Sequence, residues 1–222
     1  MKDIIAYLIS ERNFKHDSLI VGLTGHIGVG KTHIMKQLCG YLQDEGYVVC
    51  IDSLASPLKK LIQAIAYVTK NDLELQLEDF VFYGSEDKLL HDLIVANWPT
   101  IRMIVDKCNG NWRCLAQEIG SFFRQQYGYD FWVELLKERI VKLKEKCIVD
   151  FFIVPDVRYV NEYQILKRNF NDTFLMIRVD RPIENILKSL DITESEYEKQ
   201  LKHESEIEID SIPYDFKVIN DG

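Results

Sequence analysis

The chain has 222 residues, 47% of them hydrophobic and 28% charged, with a formal net charge of −8. That length can bury a sizeable core in one large domain or two small ones, while the acidic balance argues against a nucleic-acid surface, which relies on excess Lys and Arg. Five cysteines (Cys39, Cys50, Cys108, Cys114 and Cys147) form an odd set without a C-x-x-C pair, and no run is apolar enough for a signal peptide or a membrane span; reduced thiols, no zinc site and a cytoplasmic setting are the expectations.

Residues 1–14 are predicted to form a helix with Ile4, Ile5, Leu8 and Ile9 along one side. The apolar run Leu19 to Thr24 is the first strand. It leads directly into Gly25-His-Ile-Gly28-Val-Gly30-Lys31-Thr32 and then a helical stretch from Ile34 to Leu42. This strand, glycine-rich loop and helix match G-x-x-x-x-G-K-[ST] at every fixed position. Glycines let backbone N–H groups turn toward a nucleotide's phosphates, and the helix offers its positive end. Lys31 can reach the β- and γ-phosphates, and the Thr32 hydroxyl can ligate Mg²⁺. Gly25, Gly28, Gly30, Lys31 and Thr32 are therefore the expected ATP-binding set.

Tyr47 to Ile51 is a second strand, and residues 57–69 are a helix opened by Ser56 and Pro57. The stretch from Asn71 to Lys107 leans helical, with breaks expected at Tyr83-Gly84-Ser85 and at Trp98-Pro99. Helices follow over 111–127 and 130–146. In the first, Arg113, Gln117, Gly120 and Arg124 fall within a stripe roughly 60° wide, away from Leu115, Ile119, Phe122 and Phe123. Two guanidinium forks and a carboxamide on one face suit a phosphorylated ligand, although a solvated polar face has the same pattern.

A strongly apolar strand (148–154) ends at Asp156 and Arg158, with Asn161 and Glu162 on the first turn of a helix near 160–169. Polar groups just beyond a strand's carboxyl end face the ligand crevice of an open parallel sheet. Asp156 suits Mg²⁺ or an acceptor, and Arg158 suits a phosphate. Strands at 173–179 and 215–219 flank a charged stretch, 181–209, read as a lid with weak strand signals, whose Arg181 and Lys188 are candidate phosphate contacts. Five buried strands alternating with helices predict an α/β fold: a mostly parallel sheet covered on both faces. No repeat or linker divides the chain, so one domain is expected, with a helical region over about 71–146.

Together these motifs resemble the phage-type deoxynucleoside monophosphate kinases, of the P-loop kinase superfamily. The resemblance rests on the loop, Ala55-Ser-Pro57-Leu-Lys59, the Arg113/Gln117/Gly120 helix and Trp132. It continues through Val-Pro-Asp156-Val-Arg158-Tyr-Val-Asn161-Glu162, Arg-Val-Asp-Arg181-Pro182, His203-Glu-Ser205-Glu206 and the closing Val-Ile-Asn-Asp-Gly. It spans about Leu19 to Gly222. It implies a three-layer P-loop kinase fold and transfer of the ATP γ-phosphoryl group to a deoxynucleotide's 5′-phosphate, with ATP and Mg²⁺. It further implies catalytic roles for Lys31, Arg113, Asp156 and Arg158, and metal contacts from Thr32 and Asp156. Lys59, Arg113, Gln117, Gly120, Arg124, Trp132, Asp156, Arg158 and Glu162 would bind the acceptor. Partners would be small nucleotides rather than nucleic acid or membrane, and a homodimer is compatible. The chain departs from the family where Thr32-His33 replaces the usual Asp-Thr, where Cys114 replaces a second basic residue, and where a C-terminal helix usually follows. The N-terminal helix is expected to cover the sheet surface such a helix would cover. Kinases of dephospho-coenzyme A or phosphomevalonate type, and a non-catalytic nucleotide-binding regulator, are the alternative readings.

Overall fold

In a computed structural model the protein is described at residues 1–15, 17–70 and 85–221. The chain divides into two compact units: Met1–Leu54 with Val133–Gly222, and Ala55–Trp132.

The first unit is built on one five-stranded sheet: β1 Leu19–Thr24, β2 Val49–Ile51, β3 Phe151–Val154, β4 Phe174–Asp180 and β5 Phe216–Ile219. The order is β2-β3-β1-β4-β5, and every pairing is parallel. All six residues of central β1 are buried, so its sequence runs continuously apolar instead of alternating. Successive side chains point to opposite faces. Leu19, Val21 and Leu23 join Phe151, Ile153, Ile177 and Val179 in one core layer. That layer also holds Ile4, Ile5 and Leu8 of α1 (Lys2–Lys15) and Ile34, Leu38 and Leu42 of α2 (Lys31–Asp44). On the other face Gly22 leaves space for Phe174 and Met176, which a β-carbon there would approach to 3.3 and 3.0 Å. Tyr163 of α7 (Val160–Phe170) packs against Phe174 with ring centroids 5.9 Å apart. Helices on both faces make three layers, as the alternation of elements implied.

The expected apolar side of α1 is real: Ile4, Ile5 and Leu8 are buried and Ile9 is partly so. Arg12 anchors the helix by donating from Nε and Nη2 to Asp150 Oδ1 at 3.1 and 2.7 Å. Asp150 Oδ2 accepts the Val48 N–H at 2.8 Å, and its carbonyl accepts that of Leu19 at 2.9 Å. One aspartate thus ties α1 to the entry of three strands.

The segment read as a lid with strand character is helical instead. It comprises α8 Ile183–Leu190, α9 Glu194–Leu201 and the single turn α10 Glu204–Ile207. Short-range capping outweighs its β-propensity: Thr193 and Glu196 form a capping box, with Thr193 N donating to Glu196 Oε2 at 2.8 Å and Glu196 N to Thr193 Oγ1 at 3.3 Å.

The second unit is helical: α3 Ser56–Lys70, α4 Ser85–Cys108 and α5 Trp112–Tyr127, with Trp132 near the start of α6 (Phe131–Lys146). The expected break at Tyr83-Gly84 lies outside the described residues. The break expected at Trp98-Pro99 does not occur, because α4 runs through Pro99; Ile94 and Ile101, both wholly buried, flank it, and their packing offsets the backbone hydrogen bond that proline removes. A second correction concerns the cysteines. Cys108 and Cys114 form a disulfide across the turn between α4 and α5, with Cα atoms 5.5 Å apart, leaving Cys39, Cys50 and Cys147 as thiols. Counting cysteines gave no sign of this, since the pairing depends on how two helix ends meet.

Leu8→Ala should destabilise the protein by about 2–5 kcal/mol in denaturant titrations, against well under half that for Ile9→Ala, because only Leu8 leaves a sealed cavity. Cys114→Ser should cost the helical unit about 2 kcal/mol through the lost short-loop closure. All three tryptophans (Trp98, Trp112 and Trp132) belong to that unit, so their fluorescence reports its unfolding separately.

Candidate functional site

The carboxyl ends of the strands gather the candidate residues of the first unit. β1 opens into the loop Gly25–Gly30, β3 into Pro155–Arg158, β4 into Arg181 and β5 into Asn220. The loop's form is dictated by close approach. At Gly25 (φ 142°) a β-carbon would lie 2.2 Å from the Val179 carbonyl oxygen, and at Gly30 (φ 87°) 2.2 Å from Asn220 Nδ2. Only glycine fits either position. Asn220, itself buried, donates from Nδ2 to the Val29 carbonyl at 2.9 Å and so clamps the loop from β5.

Gly30 is the left-handed N-cap of α2, and Lys31 is the first helical residue. Lys31 Nζ folds back to donate to the Gly25 and His26 carbonyls at 2.5 and 3.0 Å. Burial lowers its pKa to about 8, with a further push from the Arg158 charge, partly opposed by Glu206 and Asp156. Lys31, Asp156 and Arg158, from two separate loops, therefore share one electrostatic site. Thr32 is exposed on the first turn of α2. Arg181 lies alongside, Nη1 3.5 Å from the Gly28 carbonyl, while Lys188 is exposed on α8.

Around the loop lies a set of residues that the sequence did not mark as functional. Glu206 of α10, only 3% exposed, accepts the Ile27 N–H on Oε2 at 3.0 Å and Arg158 Nη1 on Oε1 at 2.5 Å. His26 Nδ1 is 3.3 Å from the same Oε2, and His26 Nε2 is 3.2 Å from Asp210 Oδ1. The hydrogen bond to Glu206 leads the effects that raise the His26 pKa, against desolvation, which suits an imidazolium between two carboxylates. Glu206 is held below its ordinary value: burial pushes it up, but the His26 hydrogen bond and the Arg158 charge prevail. Tyr197 of α9 completes the cover, its hydroxyl donating to the Ile27 carbonyl at 3.2 Å. The quoted His203-Glu-Ser205-Glu206 motif was the one available signal for this set, but it carried no role.

Three further carboxylates make structural contacts. Asp156 accepts the Leu54 N–H at 3.0 Å. Glu162 is buried and accepts the N–H groups of Arg158 and Tyr159 at 2.8 and 3.2 Å, so it shapes the start of α7 and, through it, the Arg158 backbone. Asp52, beyond β2, is gripped by Arg139 Nε and Nη2 at 2.6 and 3.2 Å.

In the helical unit, Asn111 caps α5 by accepting the Cys114 N–H at 3.0 Å. Arg113 is exposed and Gln117 and Arg124 are half-buried along the helix, but Gly120 in the same stripe turns inward. A β-carbon there would meet Leu58 at 3.4 Å, ordinary contact, so alanine fits and no gap is reserved at that point. Trp132 is buried against Phe123 and Phe131, with its indole N–H donating to the Gly120 carbonyl at 3.1 Å; it braces α5. Lys59 is exposed on α3.

No family model and no curated protein matches this chain. Among solved structures, a crystal structure described as APE1195 aligns over 91% of this chain and 85% of its own, at 16% identity and a TM-score of 0.36. No described helix is long and apolar enough to cross a membrane.

The depressed pKa of Lys31 has a definite sign. Below about 8 the lysine is charged in both states, and the folded state bears the cost of burying that charge. Between about 8 and the ordinary lysine value of 10.5 the unfolded chain keeps a proton that the folded one has released, so stability from this group rises with pH. Lys31→Met should therefore be at least as stable as the wild type at pH 7 and should lose that rise, as measured by denaturant titrations from pH 7 to 10.5.

Proposed function

We propose that the protein is an ATP-dependent phosphotransferase that moves the γ-phosphoryl group to the 5′-phosphate of a deoxynucleoside monophosphate. The observation that carries this reading is the convergence of a desolvated Lys31, in a glycine loop matching the phosphate-binding pattern, with Arg158 from the neighbouring strand end. Two cations that repel each other in a half-buried site are an arrangement that a polyphosphate relieves. Phosphoryl transfer needs little beyond such positioning and neutralisation of the equatorial oxygens.

The carboxylates support a phosphate acceptor. A phosphate oxygen is anionic near neutral pH and needs no general base, whereas an alcohol acceptor needs a carboxylate to take its proton. Asp52, beyond β2, is held by the two-point grip of Arg139, which supports an acceptor that needs no base. In the proposed reaction Lys31 neutralises charge on the transferring group and Arg158 holds either that group or the acceptor phosphate. Mg²⁺ accompanying ATP would take the Thr32 hydroxyl and, directly or through water, Asp156; it supplies further neutralisation of the phosphates. Among the described residues no group of three or more His, Cys, Asp or Glu forms a cation site, so phosphates and water would complete its shell.

Labelled ATP offered with the four common deoxynucleoside monophosphates, their ribonucleotide counterparts and dephospho-coenzyme A tests the reading. The expected result is diphosphate product from at least one deoxynucleotide. Arg158→Ala should lower kcat/KM for that acceptor about 100-fold or more while changing ATP affinity only a few-fold. ATP binding without transfer to any acceptor would instead establish a nucleotide-binding regulator.

A further inference from the structure

We infer that Glu206 is a positioning residue of this loop site, a single buried carboxylate that sets where the Arg158 side chain stands. Its partners come from distant parts of the chain. Ile27 and His26 lie on the loop after β1, Arg158 follows β3, and Glu206 itself sits on α10 between β4 and β5. A carboxylate side chain 2% exposed is stable only when its charge and lone pairs are met. Here the Ile27 N–H, the His26 ring and the Arg158 guanidinium meet them.

The geometry constrains what Arg158 can do. A guanidinium has five N–H donors in a fixed plane, and Glu206 engages it at Nη1. The backbone N–H of the same residue is fixed by Glu162. With one end of the side chain and its backbone both held, the reach of the guanidinium is restricted. Its side chain remains 31% exposed, so an edge stays open to an incoming anion. Glu206 also offsets the mutual repulsion of Arg158 and Lys31. Without it the arginine would swing from the lysine into solvent, and an entering phosphate would have to reorder it.

The kinetic arm of the test rests on the phosphotransferase reading; a second arm does not. Glu206→Gln keeps the side chain's shape and removes its charge. The expected result is a fall in kcat of about 20-fold or more at saturating substrates, with the KM for ATP changed by less than about threefold. In an Arg158→Ala background the same substitution should have almost no further effect, within about twofold, because the two residues act as one unit. A merely structural role would show independent, multiplying losses. Glu206→Asp, which keeps the charge but withdraws it by one methylene, should lie between the wild type and Glu206→Gln, and it decides the matter if the glutamine variant does not fold. In the second arm, arginine-labelled NMR without substrates should show slow guanidinium rotation for Arg158 in the wild type and free rotation in Glu206→Gln. Full kcat in Glu206→Gln, multiplying losses, or unchanged Arg158 rotation would overturn the inference. Absence of transfer by the wild type would remove the phosphotransferase reading alone, leaving Arg158 rotation to decide the role of Glu206.

Discussion

A half-buried lysine ammonium at the rim of a sheet is the costly element around which the first unit is arranged. Lys31 replaces its hydration with two loop carbonyls, which bear only partial charge. The remaining compensation is long-range, from Glu206 and Asp156, with Arg158 acting in opposition. Such a balance holds only if the loop cannot relax, because small movements change every Coulomb term in a poorly screened site. Rigidity has identifiable sources: the steric limits at Gly25 and Gly30, the Asn220 clamp, and β1 packed between β3 and β4 with both faces covered. The fold thus confines a cation that the unbound protein accommodates at a cost and an anion would accommodate better.

The helical cover from α8 to α10 bears on the same balance. Its contacts to the loop are apolar, through Ile186 and Leu190 beside Gly28, and polar, through Tyr197 and Glu206, while Asp210 just beyond α10 pairs with His26. Contacts of that kind keep their strength only while water is excluded, so the cover and the loop stabilise each other. Arg178 extends the network outward, bridging Asp180 on its own strand and the exposed Asp210 at 2.9 and 2.5 Å.

What the sequence disclosed depended on range. The strand–loop–helix around Lys31 was legible because glycine spacing, strand hydrophobicity and the helix that follows are all local signals. The parallel sheet followed from fully apolar strands such as Phe151–Val154. Partnerships between distant residues were not legible: Glu206 meets Ile27 across 179 positions, and no periodicity encodes that. Local patterns did not express burial either. Trp132 and Glu162 stand in motifs that suggest ligand contact, yet both are buried and spend polar groups on backbone partners. Gly120 shared a helical stripe with Arg113 and Gln117, but about 100° per residue leaves enough spread for one member to face inward. Pro99 and the Cys108–Cys114 bridge depended on how α4 and α5 pack, which composition does not express.

The Asn220 clamp has a consequence for how the site comes into being. Its bond to Val29 spans 191 positions, so the loop takes its final shape only after β5 has joined β4 and the sheet is whole. Contacts of such separation form late, since the chain between them must be ordered first. A partly assembled chain, with β1 and α2 in place but β5 unpaired, would carry the glycines and the lysine without the geometry that holds them. Any ligand selective for the finished loop therefore draws the folding equilibrium toward the complete sheet, by an amount that grows with the logarithm of its concentration. Occupancy of the loop and integrity of the far edge strand become one thermodynamic quantity, seen from two ends of the chain.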